Sequence, residues 1–267
     1  MVGLAAAVGM LVAAPASAAS GVSAGRDARQ LAETTRQLNN AIDRWLAKAR
    51  PASRPPETLQ RLALRQQRLF IRLSLDPPRA EAVVARLRGA VGQHARATLR
   101  ARLALGRLST SPRPVHTFRT GPPLPPGVLL RYYRQAQRRF GVGWHMLAAV
   151  NFVESAFGRL RSPSSAGALG PMQFMPPTWR AYGLGGNVRK PRDAIMGAAN
   201  YLRASGAPRD YWGALYAYNH SASYVEAVLR YADQMKRDVR SFYAYYSWQV
   251  FVRTPAGLRR LTGPGLR

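Results

Sequence analysis

Apolar positions along the chain fall into helical stripes broken by proline and glycine. Leu31, Leu38, Ile42 and Trp45 recur on one helical face, and Pro51, Pro55 and Pro56 end that helix. Leu59 to Leu75 predicts a denser second helix, closed by Pro77-Pro78, and Val84, Leu87, Val91, Ala95, Leu99 and Leu103 predict a third. These three read as a basic helical domain over residues 20–110, a small bundle or hairpin. Residues 111–127 (SPRPVHTFRTGPPLPPG) hold six prolines and two glycines, the composition of a semi-rigid extended linker. Beyond it the pattern predicts helices over 128–140, stopped by Gly141, over 143–157, and from Pro176-Pro177 to Tyr182. Further helices follow over 192–204, 210–218 and 223–239. Ser223-Tyr224-Val225-Glu226 has the form of a capping box for the last of these. In the tail, 241–267, Trp248, Val250 and Val252 alternate with Gln249, Phe251 and Arg253 ahead of Thr254-Pro255-Ala256-Gly257, which predicts a short β-hairpin. The expected class is mainly α: a helical domain over 128–240, preceded by a helical bundle or hairpin and followed by a C-terminal β-hairpin.

Composition narrows the chemistry. An apolar content of 47% is ample for a core, and the absence of cysteine excludes disulfides and thiolate metal sites. Four scattered histidines show no paired ligand spacing, so no metal and no cofactor are expected. Val2 to Ala14 is almost wholly small and apolar, and Ala16-Ser17-Ala18 follows as an A-x-A cleavage signature. Residues 1–18 therefore predict a signal peptide and an exported protein, periplasmic, cell-wall-associated or secreted. The run is too short to span a bilayer, and with no Lys or Arg ahead of it the true start is expected upstream. The net charge is +28, divided evenly: residues 1–127 and 128–267 each carry 20 basic and six acidic side chains. Such a field favours an acidic partner, whether nucleic acid, anionic lipid or an anionic cell-wall polymer. Only three of the 40 basic residues are lysine, so part of the charge reflects a coding bias toward arginine. No nucleic-acid recognition motif accompanies the charge.

Candidate chemistry concentrates between Asn151 and Gly183. Glu154 lies four residues after Val150 and seven after Leu147, on the stripe of Met146, Leu147, Val150, Val153 and Phe157. A carboxyl held in an apolar setting keeps its proton to higher pH and can act as a general acid. The competing reading is a helix-end glutamate paired with a neighbouring arginine. The other acids of the second half have ordinary work: Asp193 and Asp210 at helix N-termini, Glu226 in the capping box, and Asp233 and Asp238 among Lys236, Arg237 and Arg240. A single-acid mechanism follows.

The motifs around Glu154 resemble those of the lytic transglycosylases, bacterial enzymes with a lysozyme-like fold that cut the glycan strands of peptidoglycan. Glu154-Ser155-Ala156-Phe157-Gly158 stands for their E-S-x-F-G, Ser164 to Gly170 (SSAGALG) for S-x-A-G-A-x-G, Gln173-Phe174-Met175-Pro176 for Q-F-M-P, and Tyr218 to Tyr224 for Y-N-H-S-x-x-Y. The resemblance runs from Arg131 to Met235 and is nearest the membrane-bound B branch. Gly170-Pro171-Met172-Gln173 departs from the soluble type's G-L-M-Q, and the calcium loop frequent in the B branch has no counterpart here. The resemblance implies that Glu154 first protonates the glycosidic oxygen and then accepts the proton of the muramyl 6-hydroxyl, giving a 1,6-anhydro sugar. It further implies that Ser164, Gln173, Tyr218, Asn219 and Tyr224 line a cleft for peptidoglycan glycan strands. Met172 and Phe174 read as core. The alternatives are a muramidase of goose-type lysozyme style, which hydrolyses the same bond, and a non-catalytic wall-binding protein.

Overall fold

The computed structural model describes residues 19–48, 53–108 and 111–266. The expected signal peptide, 1–18, lies outside them. Eleven α-helices and one two-stranded sheet are found among the described residues.

The first stripe forms α1 (Ala19–Leu46) and the second α2 (Glu57–Ser74). The third expected helix is two, α3 (Pro77–Arg86) and α4 (Gly89–Gly106). Pro77 and Pro78 open α3 in its first turn, where a missing N–H costs nothing, and Asp76 caps it by accepting from Arg79 N at 3.1 Å. Leu87 is then extended and Gly89 takes φ +58°, so the helix breaks. Val84, Leu87, Ala95 and Leu99 are buried at helical spacing on both sides of the break, which is why periodicity does not show it.

Beyond residue 111 come α5 (Pro126–Phe140), α6 (Trp144–Ser155), α7 (Pro176–Tyr182), α8 (Pro191–Ala204) and α9 (Tyr211–Tyr218). Gly141 ends α5 at φ 73°, and Asp210 caps α9 through Gly213 N at 2.8 Å, both as expected. In α10 (Ala222–Arg237) the cap is Ser221, which accepts from Tyr224 N, and not Ser223. Glu226, freed from a capping role, pairs with Arg230 and Arg107. Asp238 then ends α10 and caps a further helix, α11 (Val239–Ser247), where the tail was expected. The hairpin follows as β1 (Phe251–Thr254) and β2 (Gly257–Arg260), antiparallel with Phe251 opposite Arg260.

Helices from both sides of residues 111–127 meet in one apolar interior, with α4 against α10, and α1 and α2 against α11. Buried polar groups cross the same boundary. Trp248 Nε1 donates to Gln66 Oε1 at 3.2 Å, and Gln67 exchanges two 2.8 Å bonds with the Gln249 backbone. Thr98 Oγ1 lies 2.8 Å from the Tyr245 hydroxyl, which donates to Gln234 Oε1. Each bond satisfies a group that burial would otherwise leave unpaired.

Candidate active site

Helix α6 carries the candidate acid on its last turn. Its residues from Met146 to Val150 are all buried, so it is a core helix and not a one-sided surface helix. Ala156 (φ 50°), Phe157 (φ 63°) and Gly158 (φ 81°) follow in left-handed conformation and turn the chain sharply away. Two polar side chains one helical turn apart anchor this end. Asn151 accepts from the Tyr133 hydroxyl at 2.6 Å and donates to the Pro171 carbonyl at 2.7 Å. Ser155 Oγ donates to the same carbonyl at 2.5 Å and accepts from Gly158 N at 2.9 Å. Sequence reasoning assigned neither a role. The available signal was two polar residues at i and i+4 on an otherwise apolar helix.

Glu154 is 2% exposed. Its Oε1 accepts from the Tyr224 hydroxyl at 2.7 Å, while its Oε2, also buried, has no partner. No arginine among the described residues pairs with it, so the ion-paired alternative finds no support there. Burial pushes its pKa up to about 8, against the opposing pull of the Tyr224 hydrogen bond. The α6 C-terminus acts in the same direction as burial, since the helix dipole disfavours a negative charge there. Burial, and then the charge of Glu154, hold the Tyr218 and Tyr224 hydroxyls well above the usual tyrosine range, so both remain donors.

The loop after α6 folds by its own bonds. Ser164 Oγ accepts from Ala168 N at 2.9 Å, and Leu169 and Phe174 pair their backbones at 2.8 and 2.9 Å. Gly170 sits at the bend with φ +74°, where a Cβ would lie 1.9 Å from the Val188 carbonyl oxygen; only glycine fits. Gln173 (φ +50°) is buried, donates Nε2 to Gly170 O at 2.9 Å, and leaves its Oε1 without a partner. The Tyr218 hydroxyl donates to Met172 O at 2.6 Å, which pins this bend to the end of α9. Met172 and Phe174 are fully buried core, as expected.

The six sequence candidates are therefore placed unequally. Tyr224 touches Glu154 directly. Tyr218 joins the site through Met172, Gln173 is the next residue along, and Asn219 follows Tyr218 at the end of α9. Ser164 spends its acceptor on closing its own loop. The site thus offers a protonated carboxyl, whose unpartnered Oε2 is the oxygen left to carry and donate the proton, and one buried acceptor, Gln173 Oε1, that a donor-bearing ligand would satisfy. Among the described residues no group of three His, Asp or Glu side chains comes together as a metal site would require. The remaining acids of this half are engaged elsewhere: Asp193 accepts from Asn187 N, Asp210 caps α9, and Glu226, Asp233 and Asp238 pair with arginines.

Residues 131–240 match the family described as Transglycosylase SLT domain. Over this segment the chain is similar to that family. All six candidate residues lie inside it, on a mainly α scaffold. A membrane-bound lytic murein transglycosylase F of Thiobacillus denitrificans is 30% identical over 122 residues, which are 43% of this chain and 26% of that protein. The match thus spans about a quarter of the relative's length. Its name carries the letter F, where the motif resemblance lay nearest the B branch. No solved structure matches the chain. No helix among the described residues is long and apolar enough to cross a membrane.

Proposed function

We propose that the protein is an exported peptidoglycan lytic transglycosylase acting at the MurNAc–GlcNAc β-1,4 bond, with Glu154 as its single acid and base. The observation that carries this reading is a buried carboxyl, protonated up to about pH 8, with one oxygen held by Tyr224 and the other free. Glu154 gives its proton to the glycosidic oxygen as the C1–O bond breaks. The muramyl 6-hydroxyl then closes onto C1, and the Glu154 carboxylate takes the hydroxyl proton, which restores the acid without consuming water. The Tyr224 hydrogen bond favours the transient carboxylate and fixes its orientation.

Gln173 and Asn219 supply amide groups to grip sugar hydroxyls and N-acetyl groups, while Tyr218 and Ser164, engaged by Met172 O and Ala168 N, shape the cleft wall that presents them. The +28 charge draws the protein to an anionic wall. Intramolecular attack is favoured because, among the described residues of this half, every other acid is engaged elsewhere, and effective molarities of such closures reach ~10⁵ M or more. Digestion of sacculi in ¹⁸O-labelled water tests the reading: released muropeptides should end in unlabelled 1,6-anhydro-muramic acid. Labelled reducing ends would make the protein a muramidase of the goose-type lysozyme kind. No cleavage at all would leave a wall-binding protein.

A further inference from the structure

Near the catalytic turn lies a buried cation with no counter-ion among the described residues. Arg159, five residues beyond Glu154, is 6% exposed and makes no ion pair with any described acid. Its Nη1 donates to the Ala156 carbonyl at 3.2 Å, and its guanidinium lies over the Tyr246 ring at 4.8 Å. One carbonyl and one ring face leave most of the five guanidinium N–H donors unspent. Burial lowers its pKa to about 10, and nearby Arg54 pushes the same way, yet at neutral pH it remains a cation. A largely buried cation beside a second cation costs free energy that the Ala156 carbonyl and the Tyr246 ring offset only in part, with no carboxylate among the described residues to complete the pairing.

Arg159 and Arg54 line a cavity of about 470 Å³ whose polar walls include Gln60, Thr120 and Thr262, with no carboxylate among the lining residues. Past Pro122 and Pro123 a second hollow of about 360 Å³ continues to Arg161 and Arg189, again without an acid. The recess has one buried arginine, Arg159, with the exposed Arg54 at its rim and the exposed Arg161 and Arg189 along the second hollow.

We infer that Arg159 and Arg54 form a subsite for a carboxylate on the peptide arms of the glycan strand. The choice of ligand rests on the proposed function, because a strand held at Glu154 must present its peptide arms nearby. Five residue steps span at most about 17 Å, so Arg159 lies within that distance of Glu154. An extended peptide arm of similar length covers the same interval. The recess mixes guanidinium groups with Pro122, Pro123, Leu261 and Leu266, which suits a peptide better than a uniformly polar phosphate chain.

The test separates this subsite from the catalytic reading by measuring binding without turnover. Calorimetry with full-length Glu154→Gln protein uses acetylated L-Ala-γ-D-Glu-L-Lys-D-Ala, free or with its carboxyls amidated. The free peptide should bind about tenfold more tightly than the amidated one, and Arg159→Gln or Arg54→Gln should each abolish that preference. Arg159→Lys, which keeps the charge, should retain part of it. Because Arg54 is exposed, its variant keeps the test valid if Arg159→Gln fails to fold. Equal binding of the two peptides, a preference that survives Arg54→Gln, or Arg159-dependent binding of poly(glycerol phosphate) in place of the peptide would overturn the assignment. Anhydro products with no peptide preference would leave the proposed function standing and remove the subsite alone.

Discussion

Replacing Glu154 by glutamine should change stability as well as rate, and with a sign that the structure fixes. In the folded protein the carboxyl titrates at about 8 instead of 4.5 because it is desolvated. Between those two values the folded state holds a proton that the unfolded chain has released. Stability therefore falls as pH rises across this window, and the contribution is fully present only below 4.5. At 1.36 kcal/mol per pH unit the wild type loses about 3 kcal/mol by pH 7 and about 4 kcal/mol by pH 8. Glutamine does not titrate, so its stability lacks this slope. Its amide adds buried donors at the Oε2 position, a penalty of about 1–3 kcal/mol that is constant with pH. The slope of the difference, and not its absolute value, is the readout. Urea unfolding of both proteins at pH 4, 5.5, 7 and 8.5 should show the variant gaining on the wild type at each step above 4.5. In parallel, glycan release by the variant should fall at least ~10²-fold, and the wild-type rate should decline as pH rises through about 8. A stability difference that is flat with pH, or that grows in the wild type's favour, would refute the buried neutral acid.

Tyr224→Phe removes the hydrogen bond that favours the ionised carboxyl, so the alkaline limb of the pH–rate profile should move to higher pH; a limb that stays or moves down contradicts the 2.7 Å contact. Gly170→Ala places a Cβ 1.9 Å from the Val188 carbonyl at a left-handed φ, and should cost more than ~2 kcal/mol, read as a fall in Tm of at least ~5 °C. A fragment of residues 128–267 uncovers the α10 face that packs on α4 and strips partners from Trp248, Gln249 and Tyr245. It should unfold without cooperativity, and a sharp transition with native near-UV circular dichroism would show that residues 128–267 fold alone.

Local chemistry was legible in the sequence. The apolar stripe around Glu154, the stop at Gly141, the cap at Asp210 and the hairpin turn at Thr254–Gly257 each depend on residues within a turn or two of one another. Periodicity and capping report such contacts because the bonds involved are short in sequence. The same signals misplaced what depends on phase or distance. Ser221 and Ser223 are equally good caps as residue types, and only the docked helix selects the first. Val84 to Leu103 keeps one apolar period through a break set by Leu87 and Gly89. What the tertiary structure alone decided is the state of the acid. Tyr224 reaches Glu154 across 70 residues, no arginine among the described residues does, and Oε2 is left without a partner. A carboxyl's proton affinity depends on everything that surrounds it in three dimensions, and most of those neighbours are remote in the chain.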